Sequence, residues 1–118
     1  MAKKPKATAQ KPPLSFMTPR AEDVSRILSL GLAAHQQGQL EQARLHYQRV
    51  LSLQPEHFEA NYLIGLVYAQ GGNAQMALEF LRKVTLLKPD FVDAYYNLGV
   101  IAERAELLEE AAKNLEKV

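Results

Sequence analysis

The sequence has no cysteine and no tryptophan, and its six prolines are confined to a few places. Without cysteine there is no disulfide scaffold, no thiolate metal site and no thiol nucleophile. No apolar run approaches the roughly 18 residues that a membrane-spanning helix needs, so no membrane span is expected. The N-terminus has lysines but lacks the apolar stretch of a secretory signal. It also lacks acids before Glu22, as a transit peptide does, but Pro5, Pro12, Pro13 and Pro19 would break the amphipathic helix such a peptide uses. A cytoplasmic location is therefore expected. A strong charge of either sign is missing too, since the formal net charge is +1. That charge is uneven. Lys3, Lys4, Lys6, Lys11 and Arg20 face only Glu22 and Asp23 in residues 1–23, which leaves the rest mildly acidic. An acidic body with a basic tail is not the footprint of a nucleic-acid-binding fold, so nucleic acid is not an expected partner.

What is present falls into two parts. Residues 1–23 hold four of the prolines and few large apolar side chains. Such a segment buries too little surface to offset its ordering entropy and is expected to be a disordered, solubilising tail. Its small apolar cluster, Leu14, Phe16 and Met17, either packs loosely on the first helix or docks elsewhere. Thr18 followed by Pro19 reads as a helix start, with Asp23 as an alternative cap.

From Val24 to Val118 the apolar residues recur at spacings of three and four, the period of an amphipathic helix. The pattern also repeats every 34 residues, the interval between Pro55 and Pro89. Three segments, 24–57, 58–91 and 92–118, align column by column. Leu30, Ile64 and Leu98 share a column, and Gly31, Gly65 and Gly99 share the next. Ala43 aligns with Ala77 and Ala111, Tyr47 with Leu81 and Leu115, and Val50 with Val84 and Val118. Each segment reads as a helix, a turn at Gly38 or Gly72, a second helix and a proline stop. A glycine inside a helix costs about 1 kcal/mol relative to alanine. Its recurrence points to close helix approach, with the aligned alanine as the expected facing residue. Gly65 against Ala77 in the central segment is then the contact expected to tolerate enlargement least. In the third segment Glu106 stands where Gly38 and Gly72 stand, so that turn is either strained or relaxed into a right-handed form.

The period and the columns resemble the tetratricopeptide repeat family. The signature residues are Leu30, Gly31, Ala43, Tyr47, Pro55, Ile64, Gly65, Tyr68, Ala77, Pro89, Leu98, Gly99 and Ala111. The tryptophan often found early in the first helix is replaced by Ile27, Asn61 and Tyr95, and the usual late alanine by Val50, Val84 and Val118. The repeats look most like those of bacterial scaffold proteins and of the N-terminal repeat regions of O-GlcNAc transferases. The fold the resemblance implies is all-α, an α-solenoid of antiparallel helix pairs with about three repeats, the last incomplete.

In this family the first helix of each pair lines a concave groove. The resemblance therefore implies a partner-binding surface from Leu28, Leu32, His35, Glu59, Tyr62, Leu66, Asp93, Tyr96, Asn97 and Val100. Some members clamp an acidic C-terminal peptide with Lys, Asn and Arg, but the matching places hold Leu28, Leu32, Leu63, Asp93 and Asn97, of which only Asn97 is compatible. Asn97 instead resembles the asparagine line that holds peptide backbone in O-GlcNAc transferases, although Ser29 and Leu63 break that line.

Sequence motifs for chemistry are missing. His35, His46 and His57 are evenly spaced, but Gly38 and Pro55 interrupt any common helix and no His-Glu-x-x-His occurs. Gly71-Gly72 lacks the Lys-Ser/Thr of a phosphate loop, and Ser25, Ser29 and Ser52 have no His-carboxylate partner in the pattern. No catalytic residue, cofactor, metal or small-molecule substrate is expected. The expected function is a non-enzymatic scaffold that binds a protein or peptide partner in the groove. One alternative is the substrate-recruiting repeat region of a larger glycosyltransferase or sulfotransferase. Another is self-association through the uncapped C-terminal helix, where the apolar Leu107, Leu108, Ala111, Ala112, Leu115 and Val118 have little beyond them to cover them.

Overall fold

The computed structural model describes residues 21–116, and these form five helices with no strand among them. They are α1 (Ala21–Gln36), α2 (Leu40–Leu53), α3 (Phe58–Gln70), α4 (Ala74–Leu87) and α5 (Val92–Glu116). Each packs against the helix that follows it. The architecture is the expected solenoid of antiparallel helices. The tail, with Thr18 and Pro19, and Val118 lie outside the described residues. Asp23 sits inside α1 and does not cap it.

The turns follow from local chemistry. Gly38 and Gly72 take φ of +78° and +88°, a region that costs other residues strain. After each, a backbone N–H reaches back over the turn, Gln39 to the Ala34 carbonyl at 2.9 Å and Asn73 to that of Tyr68 at 2.8 Å. These bonds satisfy carbonyls that the helix end would leave orphaned. At the other ends, Gln54 (ψ 87°) and Lys88 (ψ 83°) leave the helical region, which a following proline disfavours, and α2 and α4 stop there. Asn73 Oδ1 caps α4 by accepting from the Met76 N–H at 3.2 Å. His57 caps α3, its Nδ1 accepting from the Ala60 N–H at 3.1 Å.

The core is a ladder of the repeat columns. Ala43, Tyr47, Val50, Ala60 and Ile64 are fully buried between α1, α2 and α3. Ala77 and Leu81 join Ile101 to continue the core toward α5. Each large side chain so buried contributes about 1.5–3 kcal/mol.

Three expectations are corrected, and one column divides. The glycine column does not meet the alanine column. A Cβ on Gly31 would lie 2.5 Å from Tyr47 Cε1, and one on Gly65 would lie 3.3 Å from Leu81 Cγ. The glycines make room for the large residue one turn further along the second helix. Gly31 rather than Gly65 is therefore the tightest point, because a tyrosine ring is wider than a leucine. Next, Leu30 is 50 % exposed although Ile64 in the same column is fully buried. Ile64 packs into the core formed with α2, whereas no described helix precedes α1 to cover Leu30. Finally, the third segment is not a helix pair. It is the single helix α5 of 25 residues, with no turn at Glu106. Glutamate favours the helix interior and lacks the freedom of Gly38 and Gly72 to reverse the chain.

Candidate functional site

The expected groove residues on α1, α3 and α5 are in different states. Leu28 is only 9 % exposed and belongs to the core, so it is not a surface contact. Leu32 and Leu66 are half-buried, Glu59 and Asp93 are exposed, and Tyr96 is 70 % exposed. Leu66, Asn97 and Val100 come together with Ala69, Gln70, Ile101 and Arg104 around an open pocket of about 320 Å³ between α3 and α5. The sequence reading missed Gln70, Ile101 and Arg104 as lining residues. Their spacing from Leu66 and Asn97, by four and seven, was a signal that could have found them.

Two side-chain links tie successive first helices together, and both join a residue to the one 35 further on. Asn97 Nδ2 donates to the Tyr62 hydroxyl at 2.9 Å and to the Asp93 carbonyl at 3.0 Å. Both amide hydrogens are thus engaged, and Asn97 faces a ligand chiefly as an acceptor through Oδ1. His35 Nε2 lies 2.7 Å from Gln70 Oε1, and Nδ1 lies 3.1 Å from the Tyr47 hydroxyl. Gln70 Oε1 can only accept, so Nε2 carries the proton, and in the neutral ring Tyr47 donates to Nδ1. His35 is a strut between repeats and not a free contact.

Aromatic packing fixes Tyr62 further. Its ring meets Phe91 edge-on at 4.9 Å, and Phe91 meets Phe58 at 5.5 Å. Lys88 Nζ lies 5.4 Å over the Phe58 ring. Burial raises the Tyr62 hydroxyl's pKa, the Asp93 carboxylate adds to this, and the Asn97 hydrogen bond works against it. Burial pushes that of Tyr47 up to about 12. Both phenols stay protonated at neutral pH and serve as fixed hydrogen-bonding groups.

The buried Asn61 occupies one of the replaced tryptophan positions. Its Nδ2 donates to the carbonyls of His57 at 2.8 Å and Pro55 at 3.1 Å, which anchors the turn between α2 and α3. Lys83 Nζ reaches the same Pro55 carbonyl at 2.9 Å from α4. Among the described residues no group of three or more His, Cys, Asp or Glu side chains is placed to hold a metal ion. No described helix is long and apolar enough to cross a membrane.

Comparison with known proteins decides the family. Residues 31–72 match the profile described as TPR repeat, and residues 58–91 and 92–118 match that of the tetratricopeptide repeat. The chain belongs to the tetratricopeptide repeat family. Two solved structures of MamA resemble it at 31 % identity over 80 % of this chain, with TM-scores of 0.68 and 0.69. The Thermobaculum terrenum O-GlcNAc transferase mutant K341M resembles it at 32 % identity over 72 % of this chain, with a TM-score of 0.68. The chain spans 51 % and 55 % of the two MamA chains and 16 % of the transferase. No curated protein sequence matches it.

Proposed function

We propose that this repeat protein is a non-enzymatic scaffold that holds an extended peptide or a helix of a partner protein against the faces of α3 and α5. The observation that carries this reading is the open pocket between those helices, where apolar Leu66, Val100 and Ile101 meet the polar Asn97 and Arg104. Apolar anchors beside a few directed polar groups suit peptide recognition. The Tyr62–Asn97 bond holds the two faces together before a ligand arrives. Less ordering entropy is then lost on binding. Exposed Tyr96 flanks the pocket as a further anchor.

Tyr62 packs on Phe91 and would disturb the fold if truncated, so the test uses Tyr96→Ala with Val100→Arg. Peptides selected against the wild-type chain from a displayed library should bind this double variant at least tenfold more weakly by calorimetry, with helicity unchanged. Equal affinity would place the binding site elsewhere.

A second reading is favoured by the likeness to the O-GlcNAc transferase, which covers 72 % of this chain. In it, the repeats recruit substrates for a catalytic region of the same polypeptide. A coding sequence that continues past Val118 into an α/β enzyme region would support it, and a stop codon there would sink it.

A further inference from the structure

Among the described residues, the straight course of α5 leaves two complementary surfaces without partners. One is the seat that a second helix of the third repeat would fill. In the first two repeats that place is taken by α2 and α4, whose Tyr47 and Leu81 sit against Gly31 and Gly65. On α5 the matching Gly99 has nothing within 4 Å of an added Cβ. Tyr95 is 50 % exposed, whereas Asn61 in the same column is fully buried. Beside these is an open pocket of about 450 Å³ between α4 and α5, with an apolar wall of Ala74, Leu78, Ala102 and Ala105 and a charged rim that includes Arg82 and Glu109.

The other surface is the segment meant for such a seat. From residue 107 the sequence carries the second-helix columns, with Ala111 in the place of Ala43 and Ala77. Those two alanines are fully buried, while Ala111 is exposed and Leu108 is 66 % exposed. The segment cannot reach its own seat while α5 stays straight, and the glycine that reverses the chain in the first two repeats is replaced by Glu106.

We propose that residues 107–114 of one copy occupy the Gly99 seat of a second copy, so that the chain assembles head to tail. The occupant is specified by the repeat itself, because the seat and the segment carry the same columns that pack together in the first two pairs. The symmetry follows from helix geometry. At about 100° per residue, the stripe of Tyr95, Gly99 and Ala102 and the stripe of Leu108 and Ala111 lie on roughly opposite sides of α5. One neighbour cannot cover both without wrapping half a turn around the helix. The two stripes therefore take two different neighbours, which is a heterologous contact that builds open or ring assemblies rather than a closed dimer. The seat lies on the opposite side of α5 from the α3–α5 pocket, while Leu108 follows one turn beyond the pocket residue Arg104.

The test is light scattering over a concentration series. The wild-type mass should climb beyond a dimer from the 13.2 kDa of one chain. Ala111→Glu, which spoils the segment, and Gly99→Arg, which fills the seat, should each stay monomeric with unchanged helicity. Both positions are open in the single chain, so folding is preserved. Mixed in equal amounts, the two variants should form a 1:1 pair and stop, because one keeps the seat and the other keeps the segment. Glu106→Gly with Leu107→Asn restores the turn chemistry of Gly72-Asn73 and should give a monomer by letting the segment fold back. A wild type that is monomeric up to about 1 mM, one that stops at a dimer, or variants that fail to complement each other would overturn the proposal.

Discussion

Replacing each helical glycine by alanine should give three different outcomes for one chemical change. The substitution is worth about 1 kcal/mol in favour of the helix wherever the new methyl has room. At Gly99 nothing lies within 4 Å, so Gly99→Ala should stabilise the chain by about that amount. At Gly65 the methyl would meet Leu81 Cγ at 3.3 Å and Phe80 Cβ at 3.4 Å. A shift of a few tenths of an ångström relieves that contact, so Gly65→Ala should fall within about 1 kcal/mol of wild type. At Gly31 the methyl would sit 2.5 Å and 2.8 Å from two carbons of the Tyr47 ring. That ring is fully buried and tied to His35 through its hydroxyl, so it cannot swing away without losing both. Overpacking of this kind costs about 1–3 kcal/mol, and a contact this short belongs at the upper end. After the helix gain is subtracted, Gly31→Ala should destabilise by about 1–2 kcal/mol. Urea unfolding followed by circular dichroism, at micromolar protein to keep assembly out of the balance, measures all three. The expected order of midpoints is Gly99→Ala highest, wild type and Gly65→Ala together, and Gly31→Ala lowest. If Gly31→Ala proves as stable as Gly65→Ala, the tyrosine is not the neighbour that fixes the glycine.

Other outcomes follow from single contacts. The Tyr47 hydroxyl titrates at about 12 when folded against 10.0 for a free phenol, so its contribution is intact below pH 10 and is lost as pH rises toward 12. The loss is at most about 3 kcal/mol, and the difference in urea midpoint between wild type and Tyr47→Phe should shrink over that window. His57→Ala and Asn73→Ala each remove a side-chain cap and should each lower stability by about 0.5–2 kcal/mol in the same assay. A double-mutant cycle of Tyr62→Phe with Asn97→Ala should return a coupling of about 0.5–1.5 kcal/mol, and additive losses would mean that the bond does not join the repeats in solution.

The candidate site was less legible in the sequence than the fold. The family resemblance implied which side of each first helix would face a partner, and three of the residues it named, Leu66, Asn97 and Val100, line one pocket. The resemblance did not show that Leu28 turns into the core, or that both nitrogens of His35 are engaged. Each depends on what the neighbouring helix brings within reach, and a one-dimensional pattern does not carry that distance.

What the sequence determined by itself was the local chemistry. The 34-residue period, the positive φ of Gly38 and Gly72, and the stops before Pro55 and Pro89 follow from residue type and spacing alone, because each is a restriction on the backbone at that residue. Tertiary structure decided which residues meet across the helices. It set Gly31 against Tyr47 where the pattern pointed to Ala43, and it left Leu30 exposed in a column that is buried one repeat later. It also carried α5 straight through Glu106, where the columns alone called for a turn. A repeat fixes the shape of a residue's environment only when a neighbouring helix is present to complete it, and at α1 and α5 that neighbour is missing among the described residues.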